Sequence, residues 1–170
     1  MEAGACSSNP SIVSVLLLQA VRTFLGMEPN NAPTLHLYVL LDRSGSMSSM
    51  TADVIEGFNT LLAEQATAGG VAARMTFVQF DDHDPQEVIT DAVPLAEVAP
   101  LTIHSFAPRG ATPLLDATGR LIGTAMTRAK TIADPESIVF ATITDGLENS
   151  STEFTLTQSS AHLSMTALYK

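Results

Sequence analysis

The run LHLYVLL, Leu35 to Leu41, passes directly into DRSGSMSSM, Asp42 to Met50. A continuous apolar run of this length reads as a parallel strand covered on both faces, because a half-exposed strand would alternate apolar with polar. The Ser- and Gly-rich segment then breaks it. Beyond it Met50, Val54, Phe58, Leu61 and Leu62 recur at helical spacing, with Ile55 widening the stripe and Gly69-Gly70 supplying a stop. VAARMTFVQF (Val71–Phe80) is a second strand rich in β-branched and aromatic residues. The turn DDHDP separates it from EVITDAV (Glu87–Val93), and so short a connection implies an antiparallel pair. A Pro-spaced crossing leads to a helix on Leu114, Leu115, Ala117, Leu121, Ile122 and Ala125, with Arg128 and Lys130 suiting its C-terminal dipole. Asp134-Pro135 ends that helix, and SIVFATIT (Ser137–Thr144) is another apolar strand, followed by DGLENSS. Ser150 with Glu153 reads as a capping box for a last helix carrying Phe154, Ala161, Met165 and Leu168. The order β-α-β-β-α-β-α predicts an α/β fold: a three-layer, Rossmann-like sandwich, its sheet mostly parallel with one antiparallel edge strand.

The 170 residues suit one domain. Eight basic against eighteen acidic residues give a formal net charge of −10. So acidic a chain is poorly fitted to neutralise phosphates, which argues against nucleic acid and anionic membrane as partners. One cysteine, Cys6, excludes an internal disulfide framework or a cysteine-built zinc cluster, and the absence of Trp argues against a base-stacking platform. The apolar segment Ile12–Leu25 is interrupted by Ser14, Gln19, Arg22 and Thr23, and is too short for a membrane span. It lacks the basic flank and small-residue cleavage site of a secretory signal, so a cytoplasmic location is expected. Residues 1–34 therefore read as an N-terminal extension with a helix, ahead of a domain over 35–170. An added packed helix, or an upstream extension with translation beginning at Met27, both remain open.

Three polar loops fall where α/β sheets bind ligands, at the carboxyl ends of strands and the entry to a helix. They are Asp42-Arg43-Ser44-Gly45-Ser46, Arg109-Gly110-Ala111-Thr112-Pro113 and Thr144-Asp145-Gly146. Between them they offer hydroxyl and carboxylate oxygens, hard donors suited to Mg2+, Mn2+ or Ca2+ and poorly suited to zinc or copper. The i, i+2, i+4 spacing of Asp42, Ser44 and Ser46 lets alternate side chains of a tight loop converge. Thr112 before Pro113 also fits an N-cap with Pro at the first helical position, a role compatible with ligation.

DRSGSM after an apolar strand, RGATPL opening a helix and ITDG ending a strand together resemble the von Willebrand factor type A (VWA) domain, in particular its stand-alone bacterial members. The resemblance covers about Leu35 to Phe154. It implies a metal-ion-dependent adhesion site binding Mg2+ or Mn2+, with Ser44, Ser46 and Thr112 as hydroxyl ligands and Asp42 and Asp145 acting directly or through water. It further implies a non-enzymatic module that binds a protein partner offering an Asp or Glu carboxylate. The family's strand order would be 3-2-1-4-5-6, and nothing after Phe154 supplies the last two strands. Ser137–Thr144 would then be a bare edge, open to self-association, and the chain a truncated, partner-dependent or non-functional fragment.

Other readings carry less. A phosphatase with Asp42 as nucleophile wants a second Asp two residues on, where Ser44 stands, and no other catalytic or phosphate-binding motif is present. The acidic turn Asp81, Asp82, Asp84 lacks EF-hand spacing and reads as a solvated hairpin tip. His36, His83, His104 and His162 form no H-x-x-x-H pair, so no histidine metal site is expected.

Overall fold

The computed structural model describes residues 34–67, 72–134, 136–145 and 148–155. Four strands form one sheet: β1 (Leu35–Asp42), β2 (Ala73–Phe80), β3 (Glu87–Pro94) and β4 (Ser137–Ile143), in the order β3-β2-β1-β4. β1 lies between two parallel neighbours, Leu35 pairing with Ala73 on one side and Ser137 on the other. β3 runs antiparallel to β2, with register shifts around Phe77.

Alternation along β1 divides the core. Leu37, Val39 and Leu41 join Met75 and Phe77 on one face, where Phe58 and Leu61 of helix α1 (Thr51–Thr67) close over them. Tyr38 and Leu40 join Val78 and Phe80 on the other, against Ala117, Leu121 and Ala125 of helix α2 (Leu114–Thr131). The result is the expected three-layer α/β sandwich. The crossing from β3 to α2 is itself part of the core: Leu95, Val98, Leu101 and Phe106 pack on the α1 side. Asn59 of α1 pins it, with Nδ2 donating to the Leu101 carbonyl at 2.9 Å and Oδ1 accepting the Leu101 N–H at 2.8 Å.

At the amino ends of β1 and β4, His36 is fully buried between Glu136 and Thr76, each at 2.9 Å. Arg128 donates to Glu136 from Nε and Nη2, at 3.1 and 3.2 Å. Burial lowers the pKa of His36, while Tyr38, stacked on its ring, is pushed up to about 12 by desolvation.

β4 departs from the expectation of a strand buried on both faces. Its apolar residues are half-buried, whereas those of β1 from Leu37 on are buried throughout. The cause is position: among the described residues β4 has a neighbour only on its β1 side. The expected stop at Gly69-Gly70, the start of β2 at Val71, the break at Pro135, the helix in Ile12–Leu25 and the positions Ala161, Met165 and Leu168 lie outside the described residues.

Candidate metal centre

Asp42 is the last residue of β1 and is fully buried. Its Oδ1 accepts the Ser44 N–H at 2.7 Å, which folds the loop back over the strand end, and its Oδ2 accepts the Thr144 hydroxyl at 2.7 Å. The hydroxyls of Ser44 and Ser46 lie 3.0 Å apart. A short 3-10 helix (Gly45–Met50) follows, opened by the Met47 N–H on the Ser44 carbonyl and anchored by the buried Met47 side chain. So Asp42 is tied to the backbone of Ser44, and the Ser44 hydroxyl to that of Ser46, whose residue is exposed.

The second loop is tied to the first. The Gly45 N–H donates to the Gly110 carbonyl at 3.0 Å, and the Arg109 N–H to the Arg43 carbonyl at 2.7 Å. Gly110 has φ +67°, and a Cβ there would overlap the Asp82 carboxylate, which accepts the Ala111 N–H at 2.9 Å. Only glycine satisfies both the left-handed backbone and this close approach.

Of the acidic turn read as solvated, Asp82 and Asp84 are exposed, but Asp81 departs from that reading and is fully buried. Its Oδ2 accepts Nε–H bonds from both Arg43 and Arg109, each at 2.8 Å. Its Oδ1 accepts the N–H groups of His83 and Asp84 at 2.8 and 2.9 Å. Glu87 pairs with Nη1 of Arg43. Burial alone would raise the Asp81 pKa. The backbone of Asp84 and the two guanidiniums reverse that and hold it below its ordinary value.

The second loop brings a further correction. Thr112 is buried but does not cap α2, whose N-cap residue is Pro113 with no side-chain bond. Asn149 instead brackets Thr112, its Oδ1 accepting the Thr112 N–H at 2.8 Å and its own N–H donating to the Thr112 carbonyl at 3.1 Å. The cap comes from Ser151, whose Oγ accepts the N–H groups of Leu115 and Asp116 at 3.0 and 3.1 Å. Glu148 supports it, with Oε2 accepting from Leu115 at 2.9 Å.

The expected capping box at Ser150 and Glu153 is not formed, and 148–155 is irregular rather than helical. The competing acceptor is Asp116. Its buried carboxylate takes the N–H groups of Thr152, Glu153 and Phe154 at 2.8, 2.9 and 2.8 Å. Burial pushes the Asp116 pKa up, but these three donors outweigh it and the net shift is downward. Glu148 behaves alike: desolvation raises it, and bonds from Ser151, Leu115 and Ser150 bring it below the ordinary value.

The three donor loops are thus joined pairwise: the first to the second through Gly45–Gly110 and Asp81, the second to the segment after the third through Asn149, and the third to the first through Thr144–Asp42. Thr112 stands in the second of these loops, held through its backbone by Asn149, and Asp145 stands in the third, directly after Thr144. Asp145 is half-exposed, yet its Oδ1 is buried with no hydrogen-bond partner among the described residues. An anionic oxygen in that state is costly unless a cation or donor meets it. Among the described residues no three His, Cys, Asp or Glu side chains group as metal ligands. The donor set is two carboxylates and three hydroxyls, and that set, with the orphaned Asp145 oxygen, fits a hard divalent cation.

Asp81, Arg43, Arg109, Asn149 and Asp116 were not singled out as site-building residues from the sequence. The one available signal was that Arg43 and Arg109 each stand inside a donor loop of an otherwise acidic chain. No protein-family model matches the chain, and no curated protein matches it.

Proposed function

We propose that the chain is a divalent-cation-dependent, protein-binding module of the VWA type, acting as a binding protein rather than an enzyme. The observation that carries this reading is the set of ties among three oxygen-bearing loops, two after parallel strands and one at the entry to α2, with Asp145 Oδ1 buried and unpaired among the described residues. Ser44, Ser46 and Thr112 would hold Mg2+ or Mn2+ through their hydroxyls, with Asp42 and Asp145 acting directly or through water. Bound there, the ion supplies positive charge that neutral hydroxyls leave largely uncompensated, and that a partner's Asp or Glu carboxylate neutralises in a partly desolvated setting. The chain's own part is preorganisation. Asp42 is oriented at both oxygens, and the buried Ser44 and Thr112 are held by their backbones. Calorimetric titration of Mn2+ into the wild type should show weak binding that Asp42→Ala abolishes. Equal binding by both proteins would overturn the site.

A second expectation concerns β4. It is the outermost strand beyond β1 among the described residues, and Ile138, Val139 and Phe140 are half-exposed. Such an edge favours pairing with a second copy. Light scattering should then show association that Ile138→Lys or Val139→Lys diminishes, and a monomeric wild type would remove this expectation.

A further inference from the structure

Asp81 belongs to none of the donor loops, yet it holds two of them. It follows β2 directly, fully buried, and its Oδ2 receives Nε–H bonds from Arg43 and Arg109, both at 2.8 Å. Arg43 stands between Asp42 and Ser44, and Arg109 stands three residues before Thr112. Beside these side-chain bonds run two backbone bonds between the same loops, Arg109 N–H to the Arg43 carbonyl at 2.7 Å and Gly45 N–H to the Gly110 carbonyl at 3.0 Å.

We infer that Asp81 is a positioning residue of the cation site: a buried anion that clamps the Asp42–Ser46 loop to the Arg109–Thr112 loop and, together with Glu87, balances the two guanidiniums beside them. The inference rests on the reading of those loops as a cation site, and it assigns Asp81 no contact with the ion. Two arginines adjacent to proposed ligands would repel a dication if their charges were free. Here the charges are balanced, since Asp81 faces both arginines and Glu87 takes the second arm of Arg43. The Asp81 carboxylate cannot swing away, because His83 and Asp84 hold its other oxygen from the backbone. Groups that orient metal ligands without touching the metal typically change affinity by about 10–100-fold when removed.

The test compares full-length wild type, Asp81→Asn, Arg109→Lys and Asp42→Ala, with Mn2+ alone as probe and free Mn2+ read by electron paramagnetic resonance. Amide hydrogen exchange at Gly45 and Arg109 is measured on the metal-free proteins. Asp81→Asn should weaken Mn2+ binding by roughly 10–100-fold and speed exchange at Gly45 and Arg109, with the amides of β1 unchanged. Arg109→Lys keeps the charge on a half-exposed side chain and loses the Nε donor. It should show the same two effects to a smaller degree, and it carries the test if Asp81→Asn does not fold. Wild-type affinity and unchanged exchange in a folded Asp81→Asn or Arg109→Lys would overturn the inference while leaving the cation site intact. Failure of the wild type itself to bind Mn2+ would instead overturn the reading of the site, and with it this role for Asp81.

Discussion

Gly119 is where α2 admits the Phe154 ring: a Cβ built there would stand 2.5 Å from the ring's nearest carbon. Four residues along the same helix, a Cβ at Gly123 would meet nothing within 4 Å. The two glycines should therefore respond oppositely to alanine. Gly119→Ala should destabilise by about 1–3 kcal/mol through overpacking, and Gly123→Ala should stabilise by up to about 1 kcal/mol through helix propensity. Urea unfolding of the pair reads both, and a stabilised Gly119→Ala would mean that Phe154 does not hold this seat. Nothing in the sequence separates these glycines, since each stands alone within one helical stripe. What separates them is a ring that arrives from more than thirty residues downstream. Asp116 was hidden for the same reason, since its carboxylate collects three N–H groups of residues 152–154.

At the scale of elements, strands and helices were legible where periodicity is a local property. The apolar run of β1, the hairpin from β2 to β3 and the stripes of α1 and α2 all stand within a residue or two of their expected places. The Asp42–Ser46 loop was legible as a loop because a Ser- and Gly-rich run directly follows an apolar strand. The N-terminal cap of α2 was not, because its acceptors follow β4 rather than precede the helix. Ser151→Ala should cost about 1 kcal/mol, the usual worth of a cap. It should speed hydrogen exchange at Leu115 and Asp116 relative to the helix middle. Uniform exchange along α2 would show that the segment 148–154 does not serve as its cap.

For the whole molecule, four carboxylates share one direction. Asp81, Asp116, Glu136 and Glu148 all have lowered pKa values, in each case despite burial, Glu136 being held ionised chiefly by Arg128. The stability they contribute is fully present above the ordinary carboxylate pKa and is lost as pH falls through their lowered values. His36 is lowered by burial, so on acidification the unfolded chain takes up that proton first and stability begins to fall below about pH 6.5. Urea midpoints measured from pH 8 to 4 should be level above about pH 7 and decline steadily below it; a rise toward acid would contradict the buried network. The ties around Asp42 also bear on when the protein can work. Asp42 and Thr144 are 102 residues apart, Arg43 and Asp81 are 38 apart, and Thr112 and Asn149 are 37 apart. Each such closure must bear its loop entropy before its bond returns anything. A nascent chain still short of residue 149 can hold β1 and α1 and yet lack the bracket around Thr112. A probe attached to this cluster would therefore stay silent through early collapse and rise only with the slowest refolding phase, timing the end of folding rather than its start.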